Sequence, residues 1–259
     1  MQPFRILSTG SLCLVAVLTS GGWADGKKPS RTDAVIDGFV KSLESDRQLD
    51  ADDRKAALDV VAKLRKSEDA RDFAVTEALR QISPDFKKAL AALGDEDLKT
   101  AVSAFRPLAD AKNAFLAAES RYFLARAMML QERYEDALPH LEKLAGPLSG
   151  KTLRAGEAAF LKGAAELYLL KRKEAAASLS LFLKKYPHAS ERLRVAAWRQ
   201  LEILQTIRKG SLPDIHLHMQ FVRRKLALQD SGGDTRKTQK KIVAMLDKLI
   251  EEAEKKGGS

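Results

Sequence analysis

The chain has 259 residues, of which 38 are Ala and 37 are Leu, two strong helix formers. Hydrophobic residues at 45% and charged residues at 31% give enough apolar content for a packed core and exclude bulk disorder. A single Cys excludes a disulfide scaffold and a Cys-based metal site, and the formal charge is +10. Val and Ile are sparse and no long run alternates with period two, so an all-α fold is expected.

The first two dozen residues read as an address. Arg5 is the only charged residue before Asp25, and Ser11 to Leu18 is a short apolar stretch, too short to span a bilayer. Gly22, Trp23 and Ala24 place small residues around a cut after Ala24, which predicts a secretory signal peptide over 1–24. Its removal takes away Cys13 and the one positive charge of Arg5, so +10 becomes +9 in the exported chain. A periplasmic or secreted location follows as an expectation.

Residues 25–80 read as an N-terminal helical cap. Asp33 to Leu43 carries Val35, Ile36, Phe39 and Val40 at helical spacing, and Ala51 to Arg65 carries Leu58, Val61 and Leu64. Asp50 or Asp52 is the candidate cap of the second helix. Phe73 to Ile82 leads into the next region.

Residues 81–209 contain a repeat. Small residues lie twelve apart in the pairs Ala89 and Ala101, Ala125 and Ala137, and Gly163 and Ala175, so the unit recurs after 36 and then 38 residues. Phe105, Leu141 and Leu179 follow the second small residue by four, and Leu108, Leu144 and Phe182 follow it by seven. A charged turn separates each pair: Gly94 to Asp97, Gln131 to Arg133, and Lys171 to Lys173. Small residues suit a close crossing of two antiparallel helices, and the bulky residues line one face of the second. One such hairpin cannot bury its apolar face alone, so three hairpins are expected to stack as a solenoid. Pro107 should kink or end its helix. A further helix runs from Ser190 to about Ile207 with Ala197 at its crossing point and no obvious partner.

This pattern resembles the tetratricopeptide repeat (TPR) family. The stretch Leu181 to Pro187 is similar to the repeat ends of bacterial periplasmic members such as the Tol-Pal coordinator and outer-membrane assembly lipoproteins. The resemblance covers about half the chain and implies a TPR-like α-solenoid with flanking capping helices. It implies a groove for a protein or peptide partner, lined from the first helix of each unit. Carried over by position, the groove residues are Glu119, Tyr122, Arg126 and Met129; Glu157, Phe160, Ala164 and Leu167; and Glu191, Arg194, Trp198 and Leu201. Tyr122, Phe160 and Trp198 have the alternative of packing between units.

Residues 210–259 read as a basic C-terminal helical hairpin. Gly210 to Pro213 breaks the preceding helix, and two helices flank a turn at Ser231 to Gly233. Ile242, Met245, Leu246, Leu249 and Ala253 form one stripe, suited to capping the solenoid or to docking on another envelope protein. Arg208 to Lys256 holds 12 Lys or Arg against 7 Asp or Glu, densest at Arg223, Arg224 and Lys225 and at Lys240 and Lys241. Export argues against nucleic acid, so an anionic glycan or lipid surface is the alternative partner, beside residues that simply solvate the helices.

Chemistry is thinly marked. His216 and His218 are two apart and do not share a helix face, so they make a poor metal pair. No nucleophile elbow, phosphate loop or zinc-protease motif occurs in the sequence. The expectation is a non-catalytic envelope scaffold without metal or cofactor. The alternative is an envelope-surface binding module acting through the basic hairpin.

Overall fold

The structure, a computed structural model, describes residues 30–257. The signal peptide expected over 1–24 lies outside the described residues. Twelve α-helices and no strand make up the described fold, as the Ala and Leu content leads one to expect: α1 (Arg31–Ser45), α2 (Ala51–Arg65), α3 (Ala74–Ile82), α4 (Pro84–Gly94), α5 (Leu98–Leu108), α6 (Ala114–Leu130), α7 (Tyr134–Ala145), α8 (Ala155–Tyr168), α9 (Arg172–Lys185), α10 (Glu191–Thr206), α11 (Leu212–Ala227) and α12 (Gly233–Gly257). Several start where a short polar side chain can take a free N–H. Asp50 accepts from Asp52, Ser83 from Phe86, and Asn113 from both Phe115 and Leu116. Pro107 comes one residue before α5 ends.

Helices α4 to α9 form three consecutive hairpins, each helix packed on the next in sequence. All six small residues of the repeat are buried at the crossings. Gly163 shows how close these are: a Cβ there would lie 2.7 Å from Leu179 Cγ. Phe105, Leu141 and Leu179 are fully buried on the second helix of each hairpin. Most of this apolar surface joins one core running from Val35 to Ala165, and a second cluster around Leu179 and Phe182 continues it into α10.

The same turn closes each hairpin. Glu96, Glu132 and Leu170 have φ of 59°, 56° and 61°, the left-handed conformation usually given to Gly. The next N–H reaches back five residues, Asp97 to Ala92, Arg133 to Met128 and Lys171 to Glu166, at 3.0, 2.9 and 2.9 Å. Gln229, with φ of 59°, and the Asp230 to Lys225 bond of 2.8 Å repeat it between α11 and α12. The C-terminal pair is thus a fourth hairpin with the same turn.

The two ends of the chain brace opposite edges of the stack. Helix α1 runs over the loops that join one hairpin to the next. Its Phe39 meets Phe115 at 5.2 Å, and Arg31 donates to the Ser149 carbonyl at 2.5 Å. Helix α11 runs over the turns inside the hairpins. It meets Arg172 at the start of α9 through Asp214, and Glu135 at the start of α7 through Arg224. The C-terminal hairpin, read in the sequence as a cap or as a docking element, lies along the flank, and α10 ends the stack. Helix α12 packs on α11 through a small seam of Ile215, Val222 and Ile242 with Phe221, Met245 and Leu249. Leu246 of the expected stripe faces outward with Val243 and Ile250.

Candidate functional site

The groove positions change character along the chain. Glu119, near the start of α6, is fully buried and accepts hydrogen bonds from Thr76 at 2.7 Å and Thr152 at 2.6 Å. Burial pushes its carboxyl up, against the pull of those two hydroxyls and of Arg154. Tyr122 is buried, donates to Glu157, and lies under the Arg154 guanidinium. Burial and then the Glu157 charge raise its phenol. Phe160 packs on Phe182 at 5.8 Å, and Ala164 and Leu167 are buried. Met129 is half-buried against the main core, and Arg126 is exposed. Thr76 on α3 and Thr152 in the loop before α8, which cover Glu119, stand far from it in sequence.

Helix α10 is different. Glu191 and Arg194 are exposed, Leu201 is buried, and Trp198 is 66% exposed. With α9 it forms an open cleft of about 960 Å³. Leu183, Val195, Trp198 and Leu201 supply its apolar surface, and Lys184, Arg199 and Glu202 supply its charge. The exposure of Trp198 follows from topology, because the chain turns away at Gly210, with φ of 80°, and α11 packs against α8 and α12.

Arg224 and Lys225 of the expected basic patch are engaged within the molecule, whereas Arg223, Lys240 and Lys241 are exposed. Arg224 is buried and holds both oxygens of Glu135 at 2.7 and 2.8 Å and the Glu132 carbonyl at 2.9 Å. Lys225 pairs with Asp230 and, at 3.2 Å, with Glu135. Burial would raise Glu135, but the bonds from Arg224 and Lys225 outweigh it and hold the carboxyl at about 2. Lys241 sits 2.7 Å from His218 Nε2, and the other ring nitrogen of His218 lies 2.8 Å from the Asp214 carbonyl. Arg223 is exposed and 3.3 Å from Glu132, and Lys240 is exposed.

His216 is exposed and His218 is buried, on opposite sides of α11. Among the described residues no group of three His, Cys, Asp or Glu is placed to hold a metal ion. No described helix is long and apolar enough to cross a membrane. Asp214, which stands beside His216 and His218 in the sequence, is fully buried, accepts from Arg172, and takes the Gly210 N–H at 2.8 Å.

These features define an all-helical protein of sequentially packed hairpins with one open end. No family model, curated protein or solved structure matches the chain.

Proposed function

We propose that the chain is a non-catalytic TPR-like scaffold, exported to the periplasm or secreted, that holds a protein partner of the bacterial cell envelope. The partner element is an amphipathic helix seated in the α9–α10 cleft. The observation that carries this reading is Trp198, an aromatic two-thirds exposed in an apolar cleft at the end where a further helix would stack. Arg199 and Lys184 beside Glu202 offer charged contacts at the rim, the arrangement of an aromatic anchor ringed by polar groups. The spacing of the hairpins and their small crossing residues support the TPR-like reading. The engagement of Arg224 and Lys225 inside the molecule takes two cations from the basic hairpin and makes it the second reading, a surface for anionic glycan or lipid.

The test uses Trp198→Ala. An envelope protein recovered with the wild-type chain should lose at least about tenfold in affinity, the effect of removing an interface hot spot. Its circular dichroism should not change, because the ring is mostly in solvent. Retention of the partner at wild-type affinity contradicts the proposal.

A further inference from the structure

A second cavity, of about 520 Å³, lies where α1 crosses the inter-hairpin edge. It is distinct from the α9–α10 cleft. Arg31 from α1, Arg71 from the loop before α3, Arg154 from the loop before α8, and Lys185 and Tyr186 from the end of α9 line it. Val35, Leu153 and Leu193 add apolar wall.

The charges in this cavity are unevenly matched. Arg71 is ion-paired with Asp33, and Arg154 is 3.7 Å from Glu157. Arg31 and Lys185 make no ion pair among the described residues. Instead both stack on the Tyr186 ring, at 4.8 and 5.6 Å from its centre. Two cations without carboxylate partners thus bracket one phenol.

Unmade hydrogen bonds lie close by. Arg71 Nε, Arg154 Nε and the Tyr186 hydroxyl are buried without a hydrogen-bond partner in the protein, and all three residues contribute to the wall of this cavity. Tyr186 is only 8% exposed. Each of the three atoms can donate, and an arginine nitrogen can do nothing else. Buried donors in folded proteins nearly always find an acceptor, in the protein or in water, and three such donors belong to residues of this one basic cavity.

We propose that this cavity binds a small organic carboxylate, with the charged group between Arg31, Lys185 and the Tyr186 hydroxyl and the apolar body against Val35, Leu153 and Leu193. A carboxylate suits the site better than a phosphate. Asp72 and Glu157 also line it and would repel a dianion, and the aliphatic wall has no use for a bare ion. The volume falls within the range of small-ligand pockets, about 300–1,000 Å³.

The test is titration calorimetry on the full chain with hexanoate, 3-phenylpropionate, 3-phenylpropionamide, inorganic phosphate and a short peptide ending in a free Phe carboxylate. The two free acids should bind, and the amide should bind at least about tenfold more weakly, because it lacks the charge. Tyr186→Phe keeps the ring and removes one donor. It should weaken the acids by about tenfold while leaving the melting temperature of the unliganded protein unchanged or raised, since that hydroxyl has no partner to lose. Arg31→Ala should weaken them similarly. The proposal is overturned if neither acid binds at millimolar concentration, if the amide binds as well as the acid, or if phosphate binds more tightly than both. It is equally overturned if only the peptide binds, or if Tyr186→Phe binds the acids like the wild type.

Discussion

Arg224, near the end of α11, holds the Glu135 carboxylate at the first turn of α7 with two parallel bonds of 2.7 and 2.8 Å, across 89 residues of chain. This fork ties the C-terminal hairpin to the turn between α6 and α7. The hairpin's own apolar seam is small, so polar contacts carry much of its attachment. Arg224→Ala should cost about 1.5–3 kcal/mol, the worth of hydrogen bonds to a charged group, kept low because Glu135 is half-exposed and can rehydrate. Hydrogen exchange should quicken across 212–257 and stay unchanged across 155–185. Unchanged protection of α11 would contradict the attachment.

The same pair sets an acid sensitivity. Glu135 is lowered to about 2 in the fold, from an ordinary value of 4.5. Its contribution is therefore complete above about 4.5 and is lost as pH falls toward about 2. Because the group is 42% exposed, the effect is on the order of 1 kcal/mol after screening. The wild type should exceed Glu135→Gln in urea stability at pH 6, and the gap should close by pH 2.

The hairpins were legible because a close helix crossing needs small residues, and those recur at fixed spacing from Ala89 to Ala175. The positions of the turns were legible from their charge, but their backbone conformation was not. Their left-handed residues are Glu96, Glu132, Leu170 and Gln229, and none carries the Gly signal that such a conformation usually shows. The groove positions fall on the first helices α6, α8 and α10, and their burial is decided by distant chain. Thr76 and Thr152 cover Glu119, and Glu157 and Arg154 cover Tyr122. Trp198 stays open because α11 leaves the stack, a path that the charges of Asp214 and Arg224 do not betray on their own, since surface helices carry similar ones. The cavity at Tyr186 was equally hidden, since its walls come from four separated segments.

Gly163→Ala tests the crossing. Helix propensity alone would favour Ala by about 1 kcal/mol. A methyl 2.7 Å from Leu179 Cγ and 2.8 Å from Cδ2 reverses that sign, so a loss of about 1–3 kcal/mol is expected. In a Leu179→Ala background the same substitution should cost less, and additivity between the two would show that the contact is absent.

Glu119 tests the buried end of the groove. Its carboxyl is raised by burial, so the protonated form favours the fold. Its contribution is fullest below its ordinary value of 4.5 and is lost as pH rises above it. Glu119→Gln keeps the shape without the charge and should remove this slope in denaturation between pH 5 and pH 8. Glu119→Ala leaves Thr76 and Thr152 without their acceptor and adds a void, for a loss of about 2–4 kcal/mol. A wild-type pH slope in the Gln variant would contradict the assignment.

Photocrosslinking from α10 tests the proposed function most directly. Trp198 is replaced by a photoreactive phenylalanine in the full chain, expressed in its native host, with the same probe at exposed Leu130 as a control. The cleft predicts one dominant adduct from position 198, absent from 130, with the crosslink mapped by mass spectrometry to an amphipathic helix of the partner. No adduct at 198, or the same adducts from both positions, would contradict a partner helix in the α9–α10 cleft.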